Sequence, residues 1–324
     1  MDDQRTHDTL HRRRRDRPQS TDKRVTPQDR DLLWFQKIHE HGPLSSTYLH
    51  AFSRHIARNE KRARDRLTDL FNESRTPHGG AYLGRPWQQF QTFDARYQDL
   101  VYDLTDASEA ALREHCLWHD SSRGHTGPWT HRYMVACITA SIELATFDDP
   151  TLVYIPQHVI LERAGASLRY PVPCLNPPTG KTEVKDLIPD ALFGLEYQKD
   201  GKSYYRFFVV EADRGTEPSR TQTFNRKSHL RNFLQYREYV GRGLYRDHLK
   251  LTAPLLVLNV TTNERAMANM MRLAQSLSGQ GNYLLFRTAE QFGRYFKPSK
   301  TMPELMDEPW ARTGSSTSFL IDQP

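Results

Sequence analysis

Cysteine is scarce in this chain. The three that occur, Cys116, Cys137 and Cys174, are odd in number and show no CxxC spacing. That argues against a disulfide framework or a paired-cysteine zinc site, and it fits a reducing cytoplasm. Long apolar runs are missing as well: no stretch approaches the roughly 18 apolar residues of a membrane span. The N-terminal residues are basic but have no apolar segment behind them, so they do not read as a secretory signal. Hydrophobic residues make up only 37% of the chain and charged residues 26%, which is polar for a globular protein; two ends expected to be disordered account for part of it. The 324 residues still suffice for two domains with separate cores.

Basic residues outnumber acidic ones, giving a net charge of +6, a weak pointer to nucleic acid by itself. Distribution says more. Arg12 to Arg15 form an unbroken run, followed by Arg17, Lys23 and Arg24. Such a segment is either a flexible arm on DNA phosphates, weakened by salt, or a solvated tail.

Residues 1–24 read as a disordered basic tail. Ordered structure is expected from Thr26-Pro27-Gln28-Asp29, where Thr26 suits a helix N-cap and Pro27 the first turn. An apolar stripe of Leu32, Leu33, Trp34, Phe35 and Ile38 follows, closed by His41-Gly42-Pro43. A second helix is predicted from Ser45 or Ser46 through Phe52 and a third from about Asn59 to Phe71. Short strands at 81–83 and 99–104 and a helix from Thr105 or Asp106 to about Trp118 complete a domain over 25–118. Three helices, a two-stranded hairpin and a further helix is the order of a winged helix-turn-helix. On the third helix Ala63, Leu67, Leu70 and Phe71 share one face and should be core. Arg58, Lys61, Arg62 and Asp65 lie opposite, flanked by Arg54, Arg64 and Arg66. In a helix-turn-helix this face enters the major groove of double-stranded DNA; an ordinary solvated basic face is the plainer alternative.

Residues 119–127 read as a polar linker, in which His115 and His119, spaced i, i+4 at its start, are better taken as surface histidines than as metal ligands. A second domain is expected over 128–297. It opens on an amphipathic helix over 129–147 that carries Glu143. Strands are predicted at 152–155 and 159–162, then a proline-rich loop over 171–186. Strands at 187–196 and 203–213 flank a Lys199-Asp200-Gly201 turn. A helix from about Gln222 to Val240, a continuous apolar strand at 255–260, a helix over 264–277 and a strand at 283–287 follow. Residues 298–324 read as a poorly ordered tail.

The most telling stretch is Glu211-Ala212-Asp213-Arg214-Gly215-Thr216, at the end of the run Tyr205-Arg206-Phe207-Phe208-Val209-Val210. Side chains alternate along a strand, so Glu211 and Asp213 point the same way. Two like charges on one face at the end of a buried strand repel and are costly to desolvate; a cation between them resolves the cost. Ile188-Pro189-Asp190 offers a third carboxylate on a neighbouring apolar run. The plain alternative is a strand running into a solvated acidic turn. Arg214 could hold these carboxylates or a phosphate. Lys227 lies on the predicted following helix with Leu230 and Leu234 at i+3 and i+7, so it falls on the face turned to the sheet, where a lysine is unusual unless paired. Arg226, Arg231 and Arg237 make that helix basic enough to track a DNA backbone. Tyr236, Tyr239 and Tyr245 raise a tyrosine nucleophile, which the lack of an evident metal-binding histidine triad argues against.

Pro189-Asp190 followed by Glu211-Ala212-Asp213 after an apolar strand, in the order helix, three strands, helix, strand, resembles a PD-(D/E)xK restriction-endonuclease-like core with a mixed sheet. The resemblance implies that Asp190 and Glu211 bind Mg2+ or Mn2+, with Glu143 on the first core helix as a further ligand. It departs from the pattern at one position: the lysine due two residues after the glutamate is Asp213. Asp213 is then another metal ligand with Lys227 as the catalytic lysine, or the site is degenerate and the fold only binds DNA. A wider resemblance, over most of 26–296, rests on Thr26-Pro27, Asp29-Arg30, Pro189-Asp190, Glu211, Asp213-Arg214-Gly215-Thr216-Glu217, Lys227 and Tyr236 or Tyr239. It is similar to the replication-relaxation family of plasmids and other mobile elements. That implies binding of plasmid or mobile-element DNA in replication, relaxation or transfer, either as a metal-dependent endonuclease or nickase or as a non-catalytic replication or transcription factor. A homodimer and a partner within a replication or transfer complex are compatible with this.

Overall fold

The structure is a computed structural model, and it describes residues 14–91, 98–122, 127–177, 179–215, 217–219, 224, 226–277, 281–293, 295–313 and 319–324. Arg12, Arg13, Thr216 and Gln222 lie outside the described residues. The chain divides between His119 and Asp120 into two compact units, with Tyr295–Thr301 returning to the first.

The first unit begins with α1 (Asp29–His41), β1 (Leu44–Ser45) and α2 (Ser46–Ser53). It continues with α3 (Glu60–Asn72), β2 (Leu83–Gly84), β3 (Val101–Leu104) and α4 (Asp106–Glu114). The strands form a three-stranded antiparallel sheet in the order β1-β3-β2, one short strand more than the predicted hairpin. Asn59 starts α3, its side chain accepting the Arg62 amide at 3.0 Å. The face that periodicity assigns to the core is buried: Ala63, Leu67, Leu70 and Phe71 pack inward, and Arg58, Lys61, Arg62 and Asp65 are exposed. The core centres on Trp34, whose indole donates to Leu49 O at 2.6 Å and to Ser53 Oγ at 3.0 Å.

The expected disordered tail is corrected within the described residues. Residues 14–25 strap the first unit because Glu73, buried at 2% exposure, needs donors: Ser20 Oγ, Thr21 N and Thr21 Oγ1 all donate to its carboxylate. Gln19 N donates to Asn72 Oδ1 at 3.1 Å, and Val25 is buried.

The second unit opens with α5 (Trp129–Thr146), β4 (Leu152–Ile155) and α6 (Gln157–Ala164). Next come the hairpin β5 (Tyr170–Leu175) and β6 (Thr182–Leu187), then β7 (Ala191–Lys199) and β8 (Lys202–Asp213). α7 (His229–Tyr236) runs into a π-helical turn at Arg237–Gly241, followed by α8 (Leu244–Leu249) and β9 (Leu255–Thr261). α9 (Glu264–Ser276), β10 (Leu284–Thr288), α10 (Glu304–Asp307) and β11 (Ala311–Arg312) end the unit. A six-stranded mixed sheet has the order β11-β10-β9-β8-β7-β4. β4, β7 and β8 are antiparallel, while β8, β9 and β10 are parallel. Asp200 and Gly201, both at positive φ, make the tight β7–β8 turn. Along it, Gly194 faces Phe207, and a Cβ there would lie 2.8 Å from the ring.

Four expectations fail here for local reasons. Residues 159–162 belong to a helix, not a strand: Ile160 and Leu161 are buried on one side and Gly165 closes it at φ +62. The proline-rich 171–186 segment is a two-stranded hairpin, because Pro171 and Pro173 sit on its exposed face, while Val172 and Cys174 alternate inward. The helix expected from Gln222 starts at His229, where Ser228 accepts the Arg231 amide at 3.3 Å as N-cap. The described residues of 302–313 and 319–324 are not a loose tail: Trp310 and Ile321 are fully buried, and Tyr197 OH donates to Ile321 O at 2.6 Å.

Candidate functional site

Phe207 and Val209 on β8 pack with Phe233 and Tyr236 of α7 in one apolar cluster. Alternation carries Glu211 and Asp213 to the same face. The strand that builds the core thus ends by presenting two carboxylates, each 7% exposed. Asp190, just before β7, is fixed to that strand: its amide donates to Val210 O at 3.0 Å, and its Oδ2 accepts from the Ala212 amide at 2.8 Å. Lys227 precedes the cap of α7. Its Nζ lies 3.4 Å from Glu211 Oε2 and 3.9 Å from Glu217 Oε2. Tyr236 OH donates to Glu211 Oε1 at 2.5 Å. From the first turn of α5, His131 Nε2 lies 3.1 Å from Asp190 Oδ1. Of these side chains His131, Asp190, Asp213 and Lys227 line an open cavity of about 380 Å³, together with Glu217 and Asn232.

The environment divides the two acids. Burial pushes the Glu211 carboxyl up to about 7; the Asp190 charge adds to this, against the opposing pull of Lys227 and the Tyr236 hydroxyl. Asp190 is buried too, but the His131 hydrogen bond and charge hold it below the usual carboxylate range. His131 is raised in turn, the Asp190 carboxylate outweighing the burial that opposes its charge. Glu211 first, then Asp190 and Glu217, hold Lys227 ionised against burial. At neutral pH the cavity wall therefore carries a charged Asp190 and a charged Lys227, beside a Glu211 near its midpoint, a pattern typical of sites that bind or exchange protons and cations.

The expected site residues separate into three groups. Asp190, Glu211 and Lys227 come together, with Lys227 on the segment before the helix, not on it. Asp213 is near but committed elsewhere, which corrects its expected role as ligand and catalytic group. Its Oδ1 accepts the Gly215 and Glu217 amides at 2.9 and 3.2 Å, and its Oδ2 lies 3.2 Å from His229 Nε2. Glu143 does not belong to the site: it lies on the same helix as His131 but twelve residues on, about 18 Å further along the axis at about 1.5 Å per residue. Among the described residues Arg214 holds no carboxylate; it donates to Thr130 Oγ1 and to the carbonyls of Phe292 and Gly293. Tyr236 and Tyr239 are buried, hydrogen-bonded to Glu211 and His248, which removes them as nucleophiles.

Among the expected DNA contacts, Arg54, Arg58, Lys61 and Arg62 are exposed on the first unit. Arg66 is corrected: its guanidinium is bound to the fully buried Asp31 at 2.6 Å and to Thr26 O at 2.7 Å. Arg226 is exposed before α7, while Arg231 lines the cavity with Nε 3.4 Å from Gln235 Oε1.

Sequence reasoning missed His131, His229 and Glu217 as members of the cluster. Glu217 and His229 lie within a few residues of Asp213 and Lys227, a proximity that could have flagged them. His131 carried no local signal, since only the fold brings α5 to Asp190.

The fold and cavity define a two-unit α/β protein with a buried carboxylate–lysine site at the end of a mixed sheet. A family model described as replication-relaxation matches residues 35–255, more than half of the chain. The chain belongs to the replication-relaxation family. No curated protein and no solved structure matches it. No helix among the described residues is long and apolar enough to cross a membrane.

Proposed function

We propose that the chain is a DNA-binding protein of a plasmid or mobile element, acting in replication, relaxation or transfer, with a divalent-metal-dependent DNA endonuclease or nickase site in its second unit. In this reading the first unit is a winged helix-turn-helix and the second a PD-(D/E)xK nuclease-like core. One observation carries it: Lys227 Nζ lies 3.4 Å from Glu211 in the cavity that Asp190 lines. The nuclease pattern requires two acids and a lysine, and Lys227 supplies the lysine that position 213 lacks.

The donor set suits a hard cation such as Mg2+ or Mn2+, because Asp190 and Glu211 offer carboxylate oxygens. When bound, such an ion polarises a scissile phosphate and lowers the pKa of a bound water. The chain's own residues do the rest. Tyr236 holds Glu211, His131 holds Asp190, and the half-exposed Lys227 offers positive charge where a phosphate would sit. Arg54, Arg58, Lys61 and Arg62 provide an exposed basic face for double-stranded DNA.

A second reading, a non-catalytic replication or transcription factor on a degenerate nuclease fold, draws on one observation. Both Asp190 oxygens already have partners, in His131 and the Ala212 amide. Nicking of supercoiled plasmid DNA carrying the family's replication or transfer region separates the two. Mg2+- or Mn2+-dependent nicking lost in Asp190→Ala, Glu211→Ala and Lys227→Ala supports the enzyme. Specific binding with no cleavage of any DNA form supports the factor.

A further inference from the structure

The hairpin of β5 and β6 is a two-stranded sheet separate from the six-stranded one. Its inner face is anchored: Val172, Cys174 and Leu187 are buried, and the side-chain amide of Gln235 on α7 donates to Lys185 O at 3.0 Å. Its tip is fixed as well. Asn176 is buried; its backbone amide donates to Lys181 O at 2.8 Å and its side chain to Glu183 Oε1 at 2.6 Å. Gly180 turns the chain there at φ +67. The outer face is open. Alternation leaves Pro171, Pro173, Leu175 and Val184 outward, with Leu175 45% and Val184 63% exposed. Adjacent exposed apolar side chains on an anchored ribbon mark a contact surface.

Strand addition is closed on the β5 side. Asn176 donates inward, so the backbone of residues 171, 173 and 175 faces the free edge, and two of these are prolines with no amide hydrogen. The face, not that edge, is what a partner can use. Charge favours a polyanion: Glu183 is held by Asn176 and Lys185, and Asp186 by Arg169 at 3.2 Å. Lys181 at the tip is exposed and has no acid partner among the described residues. Position favours the same partner, because β6 runs straight into the candidate cavity, whose lining includes Asp186, Leu187, Asp190, Lys227 and Arg231. We infer that the β5–β6 ribbon is a DNA-bending wedge, which sets its apolar face in the minor groove of duplex DNA beside the cavity and parts a base step. The inference rests on the DNA-binding reading of the chain. A two-stranded ribbon also fits the major groove, but reading bases there takes donors and acceptors. On this face only Thr182 and the ion-paired Asp186 offer any. Proline and leucine are instead side chains that unstack base steps from the minor groove, while Lys181 is placed for a flanking phosphate.

The test is energy transfer between dyes at the two ends of a duplex of about 30 base pairs, bound by the full chain at low salt in EDTA so that nothing is cut. One duplex carries central TA steps and the other is wholly G·C. Wild type should raise the transfer, as a bend of about 20–90° would. It should bind the TA duplex several-fold more tightly, because such steps kink easily and lack guanine's amino group in the minor groove. Leu175→Ser combined with Val184→Ser should abolish the bend and the TA preference. Binding should weaken by about tenfold or more, since the apolar area of both side chains would otherwise be buried. Its salt slope should stay, whereas Lys181→Ala should lower the slope by about one and keep the bend. Both replaced side chains are exposed, so the melting temperature should match wild type; Val184→Ser alone decides the matter if the pair does not fold. Wild-type bending and affinity in the ribbon variants overturn the inference and leave the proposed function standing. A wild-type dimer that the double variant converts to monomers, with DNA binding unchanged, also overturns it and assigns the face to a second copy. Bending lost in the double variant, by a wild type that nicks no DNA, keeps the wedge and sinks the nuclease reading. A wild type that binds neither duplex sinks the DNA-binding reading and the wedge with it.

Discussion

Glu211→Gln should stabilise the protein at alkaline pH and do little at pH 4 to 5. The side chain is 7% exposed, and burial pushes its carboxyl from the ordinary 4.5 up to about 7. Between those values the unfolded chain has lost the proton while the folded chain keeps it. Stability associated with Glu211 is therefore fully present below about 4.5, falls as pH rises through about 7, and then levels off. From 4.5 to about 7, at about 1.4 kcal/mol for each pH unit, the loss amounts to about 3 kcal/mol. Glutamine removes the charge yet keeps an oxygen to accept the Tyr236 hydroxyl, so the variant should escape most of that loss. At about 2–4 °C per kcal/mol for a unit of this size, the melting temperature at pH 8 should rise by about 6–12 °C in EDTA. Calorimetry from pH 4 to pH 8.5 would trace the divergence. A cation should reverse the order, stabilising wild type at pH 8 and leaving the variant unchanged. Parallel melting curves across the range, or a less stable variant at pH 8, would refute the burial argument.

Other consequences follow from single contacts. Gly194→Ala places a methyl 2.8 Å from the Phe207 ring; overpacking of this kind costs about 1–3 kcal/mol and would show in urea unfolding. Arg66→Ala strands the fully buried Asp31 and should cost about 3–5 kcal/mol, whereas Arg58→Ala and Arg62→Ala should each change stability by less than about 0.5 kcal/mol. The same two variants should weaken DNA binding and flatten its salt dependence, a fluorescence-anisotropy measurement in which unchanged slopes would remove the basic face from the interface. Tyr236→Phe keeps the buried ring but loses the hydroxyl at 2.5 Å from Glu211; Mn2+ affinity should drop about 10–100-fold, as for other groups that orient a ligand.

Legibility in the sequence followed the range of the signal. The core face of α3 and the shared face of Glu211 and Asp213 were legible because periodicity is local and the sheet enforces it. The proline-rich hairpin was not, because prolines forbid a central strand but are tolerated where their missing amide faces outward. Nor was the start of α7, where a serine cap outweighed the helical pattern of the preceding residues. That error had a chemical consequence. A lysine on the helix would have been held by helix geometry, but Lys227 lies on the segment before the cap, able to meet both Glu211 and Glu217. Asp213 shows the converse. Its position two residues after Glu211 marked it as the departure from the nuclease pattern, yet the side chain pins the turn through two backbone amides and His229. A lysine there could not accept those amides, so on the proposed nuclease reading the positive charge has to come from elsewhere, and Lys227 lies 3.4 Å from Glu211. Asp213→Lys should therefore disrupt the turn and weaken cation binding, even though it restores the residue that the pattern calls for.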